Sequence, residues 1–311
     1  MATYTSLDAL DLPRLNRLYR LGETVAAPLN GGAANSSFRL DDPVSRRSYV
    51  LTALDNHDED SAWHLARVTR ALAGLGLPTA HVVANTEGDD ITAVDGRLYL
   101  LKELIPGEVR DPLPEALLPA AGALLARLHG FAPDGLDLPI GTRRLSSTHR
   151  AAATAFPDRA FAEWIDGQLA QIGRHEEQHR RPSVPVHGDL FADNLIVRPD
   201  GGLSVIDWET ASLDDPLLDL GMAAVGLCQT SDGLLSPERL QLVLQGYEGL
   251  RPLSAQDRAE LPTEITHAAV IIAFHRYHRH NVRFPNPEHA TYHRQMVVFA
   301  ASVGDALPPG S

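Results

Sequence analysis

The sequence predicts an α+β chain in two parts, a small N-terminal lobe of strands and helix and a larger, mainly helical C-terminal lobe. Three observations predict it. Short β-branched and apolar runs alternate with one amphipathic stretch up to about residue 105. The character changes at Pro106-Gly107, beyond which apolar residues recur at helical spacing. A single strand–turn–strand pattern, Asn194 to Asp207, interrupts the helical part and carries polar residues at both ends.

In chain order, Asn30 to Leu40 reads as a small-residue loop leading into a strand, and Ser48 to Leu54 as a second strand. Asp58 to Gly74 reads as a helix. Trp63, Ala66, Val68, Leu72 and Leu75 recur at roughly helical spacing, acidic residues open it, and Gly74 and Gly76 close it. Pro78 to Ala84 and Arg97 to Ile105 read as strands separated by the turn-rich Asn85 to Asp90. Leu117, Leu118, Ala121, Leu124, Leu125 and Leu128 form an apolar helical stripe. Further helices are expected around 159–173, 235–249, 257–280 and 289–306, with Arg174 to Pro185 as a charged connection.

Composition narrows the function classes. A length of 311 residues suits about two domains. With 44% hydrophobic and 22% charged residues, the chain is ordinary globular protein. The formal net charge of -13 argues against nucleic acid or an anionic membrane as partner. The first residues lack a signal-peptide core and the apolar runs are too short to span a bilayer, so a soluble cytoplasmic protein is expected. Cys228 is the single cysteine and is expected to pack as a small hydrophobe. Lys102 is the single lysine, so any lysine-dependent chemistry must use it.

The segment from Val186 to Trp208 carries the chemistry. Pro199-Asp200-Gly201-Gly202 is turn chemistry between two apolar runs, hence a hairpin. Counted without a bulge, Arg198 faces Leu203 and Asn194 faces Asp207. An amide oxygen and a carboxylate at cross-strand separation can share a hard cation such as Mg²⁺. Asp189 enters the hairpin five residues before Asn194 and can face the same space as a base. One base and two metal ligands suit transfer of a γ-phosphoryl group to an acceptor hydroxyl, and Asp-x4-Asn is the spacing of the protein-kinase catalytic loop. The competing reading is an Asx-rich hairpin whose carboxylates cap turns.

The ordered set His187, Gly188, Asp189, Asn194, Asp207 resembles the aminoglycoside phosphotransferase and choline kinase superfamily of kinase-like enzymes. His187-Gly188-Asp189-Leu190-Phe191-Ala192-Asp193-Asn194 and Tyr49-Val50-Leu51-Thr52 are especially similar to its kinase-like homoserine kinase branch. Asp214-Asp215-Pro216 running to Asp219-Leu220 continues the pattern, and the resemblance covers about residues 20–285. It implies a bilobal protein-kinase-like fold. Residues 1–105 would be a nucleotide-binding lobe with an antiparallel sheet, one helix and the hinge strand. Residues 106–311 would be a helical lobe holding the catalytic loop and acceptor site. By the same resemblance Asp189 is the catalytic base, Asn194 and Asp207 hold Mg²⁺, Asp219 braces the loop, and His187 and Gly188 shape it. Gly31, Gly32, Ala33, Asn35, Ser36 and Ser37 would lie over the phosphates of ATP or GTP, where small residues let backbone amides approach. Glu103 to Ile105 would meet the nucleobase.

The sequence departs from the wider pattern on the third strand, where many kinase-like enzymes place a cation. Thr52 stands there, Glu59 of the following helix has no evident partner, and Arg39 is the nearest strand-borne cation. Lys102 falls in the hinge strand and is expected to be solvated. Acceptor binding would come from the helical lobe. His275, Arg276 and Arg279 form a cationic helix end that suits a carboxylate or simply the negative end of the helix dipole. His275, His278 and His280 share no helical face, so a histidine metal site is not expected. Asp214 and Asp215 would bind an ammonium group or cap the next helix. The expected function is phosphorylation of a small-molecule hydroxyl, on an amino alcohol such as homoserine or on an antibiotic or other natural product. The alternative is a nucleotide-binding pseudokinase.

Overall fold

The computed structural model describes residues 4–29, 35–178 and 181–307. The chain forms two compact units, Met1–Val109 with Ile196–Glu209, and Arg110–Leu195 with Thr210–Ser311.

In the first unit, strands β1 (Val25–Pro28), β2 (Ser36–Asp42), β3 (Arg47–Ala53), β4 (Ile91–Val94) and β5 (Arg97–Glu103) make one sheet in the order β1-β2-β3-β5-β4, antiparallel throughout. Alternation sorts its two faces. Phe38, Leu40, Tyr49, Leu51, Tyr99 and Leu101 fall on one face and pack as a buried cluster. Helix α1 (Leu12–Leu18) closes that face with Leu15 and, just past its end, Tyr19. Each fully buried leucine there contributes roughly 1.5–3 kcal/mol. Paired residues share a face, so Ser37, Arg39, Thr52, Leu100 and Lys102 lie together on the other one.

Helix α2 (Glu59–Gly74) starts where the Asp58 carboxylate accepts the Ser61 N–H at 2.9 Å, and it packs on β4 and β5. Pro78 to Ala84 does not form the expected strand. It makes two isolated bridges, Thr79 to Val205 and Val82 to Lys102. The segment passes from one partner to another and never pairs with one strand over consecutive residues.

A second sheet, in the order β6-β8-β9, joins β6 (Glu108–Val109), β8 (Leu195–Val197) and β9 (Leu203–Val205). β7 (Val184–Val186) belongs to the other unit. Because β8 pairs with β6, and Val205 N–H donates to Pro78 C=O at 2.8 Å, the hairpin groups with the N-terminal unit. The change of unit falls after Val109.

The hairpin turn is tighter than a bulge-free count. Gly201 N–H donates to Arg198 C=O at 3.0 Å, Arg198 N–H donates to Gly202 C=O at 2.9 Å, and Gly201 has φ 80°. Arg198 therefore faces Gly202 rather than Leu203, through a one-residue bulge that only the positive-φ glycine makes easy. The direct opposition of Asn194 and Asp207 does not follow from this register. Neither residue is in a strand, since β8 begins at Leu195 and β9 ends at Val205.

The second unit is helical apart from β7 and β10 (Ser212–Asp214), which pair antiparallel. Its described helices are α3 (Leu118–Leu128), α4 (Ser147–Thr154), α5 (Arg159–Gln178), α6 (Pro216–Leu227), α7 (Pro237–Glu248), α8 (Ala255–Tyr277) and α9 (His293–Ala306). α5 extends to Gln178, into the segment expected as a connection. α8 passes into a π-helical turn, His278–Arg283. α6 is apolar on all sides except Asp219, the pattern of a fully buried helix, and it packs along α8. Asp215 caps α6 by accepting the Leu217 N–H at 2.8 Å, which accounts for that half of the Asp214-Asp215 pair. Cys228 is buried at the end of α6, and burial pushes its thiol up to about 12, as for an inert hydrophobe.

Candidate active site

β7 delivers the chain into His187-Gly188-Asp189. One carboxylate holds the backbone of this loop. Asp219 Oδ2 accepts the His187 N–H at 2.9 Å, and Asp219 Oδ1 accepts the Gly188 N–H at 2.7 Å. Buried His129 donates from Nε2 to Asp219 Oδ2 at 3.0 Å, and its Nδ1 lies 2.9 Å from the Tyr247 hydroxyl. Burial alone would raise the Asp219 carboxyl. The hydrogen bond and charge of His129, with His187, outweigh it and hold the group below its ordinary range.

Gly188 sits at φ 78°, and a Cβ there would lie 2.8 Å from Arg143 Cγ and 2.9 Å from Thr210 C=O. Gly188→Ala should therefore cost more than the roughly 1–2 kcal/mol of the left-handed conformation alone, read as a lowered midpoint in denaturant unfolding. Asp189 follows, half-buried, with its N–H donated to His187 Nδ1 at 3.2 Å. Asn194 ends a 3-10 turn, Ala192–Asn194, and its Nδ2 donates to the Asp189 C=O at 2.8 Å. That bond uses the amide nitrogen and turns Oδ1 away. Asn194 Oδ1 accepts no hydrogen bond from any described residue.

Arg143 is the main residue that the sequence reading missed. Its Nη2 lies 3.2 Å from Asp189 Oδ1. Arg143, Gly188, Asp214 and Asp219 line one small cavity. The tandem arginines after Gly141 were a usable signal, since a charged pair at a turn needs partners. Arg144, the second, donates from Nε to Asp214 Oδ1 at 2.7 Å and pairs with Glu176.

The four acceptor candidates separate. Asp214 borders the cavity but is engaged by Arg144. His275 lies near Arg143 and stacks edge-on with His149 at 5.7 Å. Burial first, then the charges of Arg143, His149 and His278, pull His275 down to about 3, so it is a neutral imidazole. Arg276 donates to Gln295 Oε1 at 3.1 Å, and Arg279 is exposed. The structure gives neither of these two a place beside Asp189.

In the N-terminal unit, Gly31, Gly32 and Ala33 lie outside the described residues. Asn35 donates from Nδ2 to Glu209 Oε1 at 2.5 Å, and His57 Nε2 lies 3.5 Å from the same oxygen. Ser36 spends both its N–H and its hydroxyl on Asp55 Oδ2, at 3.0 and 2.6 Å. Ser37 and Thr52 hydroxyls lie 3.4 Å apart on the face of the sheet opposite the apolar cluster. Asp207 is exposed at φ 68°, and Trp208 beside it is buried and donates from Nε1 to Thr79 at 2.9 Å. Glu103 gives its N–H to His81 C=O at 2.9 Å and Leu104 gives its own to Ser48 C=O at 3.0 Å. The Ile105 N–H has no acceptor among the described residues.

Lys102 is not the solvated side chain expected from the sequence. It is half-buried, and burial pulls its ammonium below the ordinary lysine range against the opposing carboxylates of Asp207 and Glu209. Arg39 is exposed and paired with Asp41 at 2.9 Å, and Glu59 is exposed.

The small-lobe sheet and the braced Asp189 loop define a kinase-like phosphotransferase fold. A solved amicoumacin kinase, in complex with AMP-PNP and Ca²⁺, superposes with a TM-score of 0.73, covering 96% of this chain and 94% of its own at 15% identity. A microcompartment-associated aminopropanol kinase gives 0.73 at 19% identity, covering 95% of both chains. The pattern of the phosphotransferase enzyme family matches residues 25–253. The homoserine kinase of Methylobacillus flagellatus is 27% identical over 277 residues, 87% of this chain and 85% of its own. That of Caulobacter sp. is 30% identical over 273 residues, 84% of this chain and 83% of its own. The chain belongs to the phosphotransferase enzyme family and is a small-molecule kinase, with a nucleotide as donor. No described helix is long and apolar enough to cross a membrane.

Proposed function

We propose that this kinase moves the γ-phosphoryl group of ATP or GTP to the hydroxyl of a carboxylate-bearing amino alcohol, homoserine being the type. The observation that carries the reading is Asp189 on its braced loop with Arg143 at 3.2 Å, a base and an anion-binding fork side by side. The similarity to homoserine kinases over more than four fifths of the chain supports that acceptor. Arg143 would hold the acceptor carboxylate, the planar fork that matches two oxygens at once. Asp189 would orient the hydroxyl and take its proton as the oxygen bonds to the γ-phosphorus and the nucleoside diphosphate leaves. Neutral His275 would add a hydrogen bond but no charge.

Mg²⁺ would take an oxygen from Asn194 and one from Asp207. Asn194 Oδ1 and the Asp207 carboxylate are hard oxygens, and no three or more His, Cys, Asp or Glu among the described residues could hold a metal alone. A cation delivered with the nucleotide, completed by phosphate oxygens, suits two such ligands. When bound, Mg²⁺ would neutralise charge on the transferring phosphoryl group.

The test offers purified protein with Mg²⁺ and ATP or GTP to homoserine, choline, aminoglycosides and nucleoside antibiotics, and detects the phosphorylated product. Phosphohomoserine is expected. Turnover of an antibiotic without homoserine would overturn the acceptor, and nucleotide binding without any turnover would favour a pseudokinase. Arg143→Gln should raise the KM for homoserine about 10- to 100-fold, the worth of a charge-assisted hydrogen bond, with little change in nucleotide KM.

A further inference from the structure

We propose that Lys102 supplies the phosphate-neutralising cation that the third strand lacks, reaching the donor phosphates from β5 rather than from β3. The inference rests on the kinase reading and concerns its nucleotide half. Sheet register carries it. Thr52, at the site where a strand-borne cation is otherwise found, pairs with Leu100, and Lys102 pairs with Val50. Thr52 and Lys102 are therefore diagonal neighbours on one face, about 7–8 Å apart at the backbone. It is the face that carries the Ser37 and Thr52 hydroxyls, while the apolar cluster fills the other.

The surroundings of the ammonium agree. The carboxylates close enough to act on its charge are Asp207 and Glu209, and Asp207 is the residue read as a metal ligand. Among the described residues the Lys102 ammonium has no hydrogen bond or ion pair. A half-buried lysine without a bonded partner is desolvated at a cost that the Asp207 and Glu209 carboxylates offset only in part. An anionic ligand would supply that partner. The other basic side chains near this face are already engaged. Arg39 is paired with Asp41, and His57 sits against Glu209, which also receives Asn35. A single lysine in the chain, placed within side-chain reach of the vacated position, is what a relocated function requires.

The test compares wild type, Lys102→Met, Lys102→Arg and the double variant Thr52→Lys/Lys102→Met. Equilibrium binding of ATP and of adenosine is measured beside turnover of homoserine. Lys102→Met should bind ATP about 10- to 100-fold more weakly and lose turnover, with adenosine affinity within about twofold of wild type. Lys102→Arg should keep most of the affinity, and the double variant should regain part of it by returning the cation to β3. Equal losses for ATP and adenosine would mean a packing role and overturn the proposal, as would unimpaired ATP binding. Should Lys102→Met fail to fold, Lys102→Gln provides the same comparison. Wild type that turns over no acceptor and binds no nucleotide would sink the kinase reading and this one with it. Normal wild-type turnover with indifferent Lys102 variants would sink this one alone.

Discussion

Asp189→Asn should lower phosphoryl transfer about 100- to 10,000-fold while ATP affinity and the thermal midpoint stay near wild type. The asparagine keeps the size and one acceptor oxygen but cannot take a proton. Its surroundings should tolerate the change. The Asp189 backbone is held independently of its carboxylate, through the Asn194 amide on its C=O and His187 Nδ1 on its N–H. The carboxylate itself has one strong contact, Arg143. Steady-state kinetics with homoserine, beside ATP titration of the same preparation, would show it. A variant retaining more than about a tenth of wild-type turnover would remove Asp189 from the role of base.

The second large effect is on stability. Asp219→Ala should destabilise the helical unit by about 3–5 kcal/mol, the range for breaking a buried charged pair from one side. Three donors lose their acceptor at once, His129 Nε2 and the His187 and Gly188 N–H groups, all of them in buried residues. The loop carrying Asp189 would lose its brace, so activity should fall with stability. The pH dependence has a definite sign. The folded Asp219 carboxyl titrates below its ordinary 3.8, so its contribution is complete above that value. It is lost as the pH falls toward the folded value. Denaturant unfolding of wild type and variant should therefore differ fully at pH 7 and converge only in acid below about pH 4. A constant difference down to pH 2 would mean the loss comes from packing rather than from the charge.

How much of this was legible in the sequence differs from one element to the next. The order His187, Gly188, Asp189, Asn194, Asp207, with turn chemistry between, located the loop and hairpin because those residues have few other uses in such an order. The register of the hairpin was not legible. Gly201 and Gly202 are both good turn residues, and only the backbone hydrogen bonds show that Gly201 takes the positive φ and adds a bulge. Arg143 was missed because its meaning depends on Asp189, far along the chain, and no local pattern joins them. Lys102 was misread for a related reason. Counting along β5 puts it beyond the usual position, whereas pairing with β3 puts it beside that position. Sequence periodicity reports faces within a strand, and neighbours across strands need the pairing.

The division of the chain has a consequence for how the protein is made. The N-terminal unit includes Ile196–Glu209, so residues 110–195 must be synthesised before its last strands exist. At ordinary translation speeds that is a delay on the order of ten seconds. Through that interval the five-stranded sheet can be complete while β6, the short strand that pairs with β8, waits without its partner. A ribosome-bound chain ending near residue 150 should then expose that edge to chaperones, and one ending beyond residue 240 should not.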